Sequence, residues 1–560
     1  MESKTGILEL KHRLVELLTQ AATQAQQSGK LPSTPLPEVY LERPQDPGHG
    51  DYASNFPLKL ARATGVKPLS IAEHLVGLIA PIPEIESIVA APPGFINFTF
   101  KGDWLTRHVD SILQAGDAYG DINLGKGCRV QIEFVSVNPT GPLHVGHGRG
   151  AILGSTLASV LTAAGYNVEK EYYVNDAGSQ MAAFAHSLYA RYQQCLGIAA
   201  EIPPNGYVGS YMIDLAKQIL AEEKDRYLKL PQVEALLQLK QLGLDKMIKQ
   251  IKVDLEQLGV TFDVWFSESS LYEEGQYQKV MSLLRQGGYI TEKEGATWFV
   301  STALGEDKDN VVVRGDGSPT YFAADIAYHY NKFVERHFEK VINIWGADHQ
   351  GHVTRMKAVV GALGINPERL KVIISQMVTL RRGEEVVRIS KRSGDIITLR
   401  ELVEEVGKDA CRFFFLSRTA DSQMDFDLEL AKKQSADNPV YYVQYAHARI
   451  ASILRLAEER KIDYSDGDVS LLTSEPELTL VRRLVLLPEL VEIVGHTLEP
   501  HHLTYYAQDL ATVFHSFYKQ CRVVSDDEAA TKARLKLVAA AKLVLARTLQ
   551  LMGMNTPDSM

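Results

Sequence analysis

The chain is poor in cysteine, with four in 560 residues: Cys128, Cys195, Cys411 and Cys521, far apart and with no CxxC pair. That excludes a disulfide-stapled scaffold and a zinc ribbon built on paired cysteines. Long apolar runs are missing too. No uninterrupted stretch reaches the roughly 18 residues that suggest a transmembrane helix, so no membrane span is expected. The first thirty residues hold no apolar core of a signal peptide, because Glu9, Lys11, His12 and Arg13 interrupt them. Positive charge is not in excess either: 59 Lys and Arg stand against 69 Asp and Glu, a net charge of −10. That speaks against a uniformly basic nucleic-acid binder. It leaves open the sign of any one face. Repeats and low-complexity runs are absent. What is present, 45% hydrophobic and 23% charged residues, is a globular composition. The length suggests about three or four domains, and the expected setting is cytoplasmic.

Ile7, Leu10, Leu14, Leu17 and Leu18 recur at three- and four-residue steps and predict an amphipathic helix with Gly29 as its stop. A proline-rich passage from Leu31 to Gly50 comes next, and residues 1–105 read as a small α/β domain. The Gly- and Asp-rich stretch Asp117–Gly127 reads as a linker. Arg129–Val137 (RVQIEFVSV) then predicts a β-branched strand. A Pro/Gly turn, an Ala- and Leu-rich helix over about 148–164 and a second strand at Asn167–Val174 complete a βαβ unit. This is the opening of a parallel nucleotide-binding sheet in a domain spanning 120–430. A helical stretch from about Met181 to Leu258 interrupts it. Sheet segments return at Thr297–Val300, Val311–Val313, Val341–Trp345 and Val372–Leu380. Residues 437–560 read as helical throughout, with Asp466–Pro476 as the main loop.

Two loops carry the chemistry. The first is Asn138-Pro139-Thr140-Gly141-Pro142-Leu143-His144-Val145-Gly146-His147-Gly148, at the strand-to-helix turn of the βαβ unit. Ligands of such sheets sit at the carboxyl ends of the strands, where helix N-termini offer unpaired N–H groups to anions. Gly146 and Gly148 would let the backbone approach a phosphate. Two imidazoles could donate to oxygens that gain charge in a transition state. The second is Arg388-Ile389-Ser390-Lys391-Arg392-Ser393-Gly394, expected to flank the same sheet, with Lys391 as a mobile point charge for a triphosphate. Taken alone, each is matched by a plain turn or a solvated basic loop; together they raise one another.

HVGH at 144–147 and ISKRSG at 389–394 resemble the two signatures of class I aminoacyl-tRNA synthetases. Arg388 and Ile389 stand where the second signature usually has Lys-Met, and Arg392 where it ends in Ser; Lys391 matches its second lysine. The flanks QIEFVSVNPTGPLHVGHGRG, EYYVNDAGSQ, IWGADHQGH and NPVYYVQYAHARI narrow the resemblance to the arginyl-tRNA synthetases of bacterial type. PGHGDYASNFPLKLARA resembles that family's N-terminal domain. The resemblance covers nearly the whole chain. It implies a Rossmann-like parallel-sheet α/β catalytic domain, a small α/β N-terminal domain that contacts tRNA, and an all-α helical-bundle anticodon-binding domain.

The resemblance also implies site residues. His144, His147 and Lys391 would be catalytic, and the nucleotide would lie along Asn138–Gly148 with Ser390, Lys391 and Arg392. L-arginine would be held by Glu133, Ser136, Asn138, His147, Tyr321, Asp325 and His349. A guanidinium is a planar fork of donors that carboxylates satisfy, and Tyr321 and Asp325 share one helix face. Without arginine, Asp325 is expected to face water in an open pocket. ATP with Mg2+ and tRNA(Arg) are the implied cofactor and partner, the chain acting as a monomer. Tyr441, Tyr445, Arg449, Phe517 and Arg522 would contact tRNA, since unpaired bases are read by stacking. A small-molecule adenylyltransferase shares the HxGH turn, but such chains are shorter and lack a large helical C-terminal domain. A tRNA-binding paralogue without catalysis would not need both histidines and Lys391. Another class I synthetase, such as the cysteinyl kind, is disfavoured by Glu133–Asn138 and the scattered cysteines.

Overall fold

The computed structural model describes residues 6–44, 46–387 and 397–560. Ser390, Lys391 and Arg392 therefore lie outside the described residues. At the N-terminus, α1 (Ile7–Gln27) buries Leu10, Leu14, Leu18 and Ala21 on one face, as the three-to-four-residue period requires. Gly29 beyond it takes a left-handed φ of 72°. Then come β1 (Tyr52–Ser54), α2 (Phe56–Thr64), α3 (Pro68–Leu78), β2 (Ile85–Ala91), β3 (Phe95–Phe100) and α4 (Gly102–Ala115). The strands form an antiparallel sheet of order β1-β3-β2. Alternate residues of β3, Ile96, Phe98 and Phe100, point into the core.

The central region opens with β4 (Arg129–Glu133), α5 (Val145–Ala163) and β5 (Asn167–Val174), the expected βαβ unit. The strand stops four residues short of the predicted Val137, because Val135 and Ser136 take left-handed φ angles of 70° and 42°, which no strand accommodates. The stretch read as continuously helical is three helices, α6 (Ser179–Cys195), α7 (Ser210–Glu223) and α8 (Gln232–Gln257), around a core of their own. Gly197, Pro203, Pro204 and Pro231 fall in the breaks. Beyond them lie β6 (Val264–Ser267), α9 (Glu268–Glu273), α10 (Gln276–Gln286), β7 (Ile290–Lys293), β8 (Ala296–Phe299), β9 (Asn310–Val313), α11 (Tyr321–Tyr330), β10 (Lys340–Gly346), α12 (Val353–Ala362) and β11 (Leu370–Ser375). Five strands make one all-parallel sheet of order β11-β10-β4-β5-β6, while β7, β8 and β9 form a separate antiparallel sheet. The chain runs outward from β4 through β5 to β6, then returns on the other side as β10 and β11. The β4/β10 boundary is thus the switch point, where the crevice at the strand carboxyl ends takes ligands.

The segment predicted as one strand over Val372–Leu380 is split between β11 and β12 (Val378–Arg382). With β13 (Glu385–Val386), α13 (Leu399–Val406), α14 (Lys408–Leu416), β14 (Met424–Asp427) and α15 (Leu428–Lys432), β12 builds an appended unit whose sheet order is β13-β12-β14. The last described residues before the second signature thus belong to this small sheet and not to the large parallel one. Residues that follow that segment meet the first signature: Leu399 N donates to the Leu143 carbonyl at 2.8 Å, and His144 pairs with Thr398 as an antiparallel bridge.

The remaining helices are α16 (Pro439–Glu459), α17 (Glu475–Leu484), α18 (Leu487–Thr497), α19 (His502–Gln520) and α20 (Glu528–Leu551). Among the described residues no helix is long and apolar enough to cross a membrane. Residues after α20 fold back over the bundle and the appended unit. The fully buried Arg412 of α14 donates to the Met552 and Leu258 carbonyls and to Ser155 Oγ of α5. Asn555 N donates to Asp409 at 3.0 Å, the Pro557 carbonyl meets the His447 ring at 2.8 Å, and Asp558 pairs with Lys542 at 2.8 Å.

Candidate active site

The loop from β4 to α5 is built to present two imidazoles. His144 is the N-cap of α5, with extended backbone (φ −100°, ψ 169°). Its Nδ1 accepts from Gly146 N at 3.1 Å, and Nδ1 of His147 accepts from His144 N at 3.2 Å. These bonds consume two of the unpaired N–H groups at the helix start. They also fix the tautomer: with Nδ1 accepting, the proton of each neutral ring sits on Nε2. The rings stack with centroids 3.4 Å apart. Burial, then the neighbouring His144, lowers His147 to about 3, and burial lowers His144. At neutral pH the pair is therefore two uncharged Nε2–H donors at a helix N-terminus. Gly148 is needed for packing: a Cβ there would lie 2.6 Å from Leu399 Cδ1.

The left-handed turn at Val135 and Ser136 redirects the chain off the sheet. Ser136 Oγ accepts from Tyr173 N at 3.1 Å, so it serves the end of β5. Asn138 Nδ2 donates to Gln180 Oε1 at 2.6 Å, across from the start of α6.

Beside this loop lies a cluster of acids. Glu133, the last residue of β4, is buried, and its Oε2 accepts from Lys332 Nζ at 2.6 Å. Lys332 is fully buried, also donates to Asn343 Oδ1 of β10 at 3.1 Å, and lies 4.0 Å from the centre of the Tyr328 ring. Asn343 bonds the His329 ring at 2.8 Å, and His329 Nδ1 meets the Asp325 carbonyl at 2.7 Å. Burial holds His329 at about 3, hence neutral. Asp325 sits on the second turn of α11, half-buried. Burial, then the charges of Glu133 and Glu268, push its carboxyl up to about 7, with Lys332 and Arg355 pulling the other way. Glu268 is buried, and burial raises it too. Asp325, expected to face water, is half-buried and in the field of two other carboxylates. It stands with Glu133 and Glu268 as one of three carboxylates, with Lys332 and Arg355 as counter-charges. Three acids outnumber these two cations, and a guanidinium is a side group that fits the excess.

Tyr321, 45% exposed, stands one turn before Asp325 at the pocket mouth. His349 lies on the exposed turn Ala347–His352 after β10, its Nε2 3.4 Å from Asp348. It is at the carboxyl edge of the sheet but is not drawn into the acid cluster. Lys332, Glu268 and Arg355 were not singled out in the sequence. For Lys332 a signal existed: it comes seven residues after Asp325, where the chain continues past α11 in the π-helical turn Asn331–Glu335.

On the helical domain, Tyr441 and Tyr445 stack with centroids 5.9 Å apart and planes 8° from parallel. Arg449 donates to Tyr445 Oη at 2.7 Å and lies over the rings of Tyr445 and Tyr518 at 4.7 and 5.4 Å. Arg522 is exposed nearby in the chain. Phe517 departs from expectation. It is fully buried in the bundle core and offers no face to a base, because it falls on the inward stripe of α19 with Leu510 and Phe514.

Three family models match in tandem. An arginyl tRNA synthetase N-terminal domain matches residues 10–100, a class I (R) tRNA synthetase catalytic domain 108–451, and a DALR anticodon-binding domain 443–560. The chain is 59% identical over 555 residues to an arginine–tRNA ligase of Dehalococcoides mccartyi, covering 99% of this chain and 100% of the relative. It is 48% identical over 558 residues to the arginine–tRNA ligase of Moorella thermoacetica, covering 99% and 100%. Among solved structures, Thermus thermophilus arginyl-tRNA synthetase has the same fold, with a TM-score of 0.79 at 22% identity, covering 98% of this chain and 100% of that one.

Proposed function

The chain belongs to the arginyl-tRNA synthetases, and from that premise we propose how its residues divide the work. It is an ATP-dependent arginine–tRNA ligase. The arginine carboxylate oxygen attacks the α-phosphorus of ATP, the bond to the bridging oxygen breaks, and diphosphate leaves. The 3′-terminal ribose hydroxyl of tRNA(Arg) then attacks the carbonyl carbon of arginyl-adenylate, loses its proton and releases AMP. Both steps are governed by positioning and charge stabilisation.

The observation that carries the residue assignment is the three-acid pocket at the end of β4 beside the paired imidazoles. Glu133 and Asp325 take the guanidinium, with Tyr321 closing over it and His349 at the mouth. Ser136 and Asn138 shape the floor between arginine and nucleotide. His144 and His147 donate Nε2–H to the α-phosphate oxygens, where charge grows in the transition state. The backbone of Asn138–Gly148 lines the nucleotide, and Lys391, with Ser390 and Arg392, serves the β,γ-phosphates. Mg2+ enters with ATP as part of the substrate. Lysine and ornithine are rejected because they leave buried acceptors unpaired. Tyr441, Tyr445, Arg449 and Arg522 form the RNA-facing patch of the bundle. The chain works as a cytoplasmic monomer.

The test is ATP–pyrophosphate exchange with each of the twenty amino acids, with and without tRNA. Exchange is expected with arginine only and to require tRNA. Strong exchange with another amino acid and none with arginine refutes the pocket assignment.

A further inference from the structure

Four histidines are buried among the described residues: His108, His329, His447 and His501. Three of them set a ring nitrogen against a backbone carbonyl, of Trp104, Asp325 and Pro557 respectively. That is what burial of a polar ring requires. His501 is the exception. It is 7% exposed, and the bonds it makes are to its backbone carbonyl, which accepts from Thr504 N at 3.1 Å and Thr504 Oγ1 at 2.8 Å. Its ring meets other rings, those of His502 and Tyr505, with centroids 4.2 and 5.5 Å away. Neither ring nitrogen has a hydrogen-bond partner among the described residues.

The turn between α18 and α19 brings that ring to two more donor groups. Leu498, just past α18, takes a left-handed φ of 60° and turns the chain. Glu499, His501 and His502 follow, and one donor atom of each lies within 4.8 Å of the other two. His502 Nε2 stands 3.4 Å from Glu499 Oε2. Bonds of about 2.0–2.2 Å set the ligands of a tetrahedral zinc about 3.3–3.6 Å apart, so that edge already has the required length. Glu499 is exposed and His502 half-exposed, which leaves both free to close on an ion beside the fixed His501. Burial, then His502, lowers His501 below the ordinary histidine range against the pull of Glu499 and Asp421, so its ring keeps a free lone pair at neutral pH.

We propose that Glu499, His501 and His502 bind one divalent ion of the zinc class, with the fourth position left to water. Two imidazoles and one carboxylate suit zinc and its first-row neighbours, whereas the Mg2+ that accompanies ATP prefers six oxygens. No residue assigned to arginine or nucleotide belongs to this site. It stands where the bundle meets the appended unit: Tyr505 Oη, one turn into α19, donates to the Ser417 carbonyl beyond α14 at 3.1 Å. An ion that ties the α18–α19 turn braces this contact, so its effect is on stability and not on turnover.

The full chain, stripped of metal by a chelator, is titrated with Zn2+ against a chromophoric zinc indicator, beside His501→Ala, His502→Ala and Glu499→Gln. Wild type should take up one equivalent and melt at a higher temperature with it. Loss of either imidazole should weaken that equivalent at least about 100-fold, and Glu499→Gln at least about tenfold, since even groups that only hydrogen-bond to a ligand are worth about 10–100-fold. The melting shift should shrink with the affinity. His502→Ala and Glu499→Gln change exposed side chains and decide the matter even if His501→Ala does not fold. Arginine-dependent exchange with Mg2+ and ATP should stay within about twofold of wild type in the folded variants, because the site is remote from the crevice. Co2+ in place of zinc should show the visible bands of nitrogen and oxygen ligation. A wild type that binds no zinc overturns the inference, and so do variants that bind it as wild type does. A thiolate charge-transfer band in the cobalt protein overturns it as well, since it puts the ion on the free cysteines, as does displacement of the zinc by the Mg2+ used with ATP.

Discussion

Replacing Asp325 by asparagine keeps the shape of the side chain and removes one charge from the three-acid pocket. Two effects of opposite sign result. In the free protein the Asp325 carboxyl is raised from its ordinary 3.8 to about 7. The native state thus holds a proton that the unfolded chain releases. The stability linked to that proton is present below the unfolded pKa and is lost as pH rises from about 4 through 7. About three units at 1.36 kcal/mol each give an upper bound near 4 kcal/mol, and partial exposure brings the expectation to about 2–4 kcal/mol. Asp325→Asn, neutral at every pH, should therefore be more stable than wild type without arginine at pH 8, with the gap narrowing toward pH 5. Arginine reverses the sign, because its guanidinium needs the ionised form. Wild-type affinity should weaken about tenfold between pH 8 and pH 6, as protons compete for the carboxylate. The variant should show no such slope and bind arginine at least about tenfold more weakly at pH 8, from the 2–5 kcal/mol lost when one partner of a desolvated pair is neutralised. Urea melts and arginine titrations of both proteins from pH 5.5 to 8.5 measure both effects. A variant that is less stable at pH 8, or a wild-type affinity flat across that range, refutes the reasoning.

Lys391→Ala should lower turnover by about 10²–10³ with arginine affinity unchanged, as expected for a charge used mainly in the transition state; steady-state exchange kinetics check this. Tyr445→Ala removes the middle of the Tyr441–Tyr445–Arg449 stack and should raise the KM for tRNA about tenfold, one base-stacking contact's worth, with arginine KM unmoved. Phe517→Ala should do the converse, costing about 3–5 kcal/mol of stability by emptying a core site, with no loss specific to tRNA; denaturant melts and aminoacylation kinetics on the two variants separate them.

The unit of strand, Pro/Gly turn and helix at 129–164 was legible because its ends are set by residue chemistry. A β-branched run meets residues that cannot stay in a ladder, and His144 caps the helix after them. The overshoot to Val137 shows the limit of that reading. Valine and serine at 135 and 136 look like strand, and nothing local reveals that the chain twists left-handed there to leave the sheet. The split of 372–380 has a similar origin. Both halves are strands, but they pair with different sheets, and pairing partners lie far away in sequence. Glu133 and Asp325 were singled out through their resemblance to the family's motifs; their electrostatics were not. The raised carboxyl of Asp325 depends on Glu268, 57 residues away, and on Lys332, whose place seven residues after Asp325 was the one available clue. Phe517 illustrates a different ambiguity. Aromatics on α16 and α19 repeat at helical spacing, and only the packing decides which face the core takes.

The segment after α20 gives the molecule an order in time. Met552, Asn555, Pro557 and Asp558 are held by Arg412, Asp409, His447 and Lys542, and Arg412 also reaches Ser155 in the helix that begins at His144. On the ribosome, residues 552–558 emerge after everything they clasp. A nascent chain can fold its N-terminal domain and its parallel sheet early, but the buried guanidinium of Arg412 has its full set of acceptors only when translation passes Met552. A chain halted before that point leaves the Arg412 Nε donor without the Met552 carbonyl, beside the helix that begins at His144, and that lost bond costs stability.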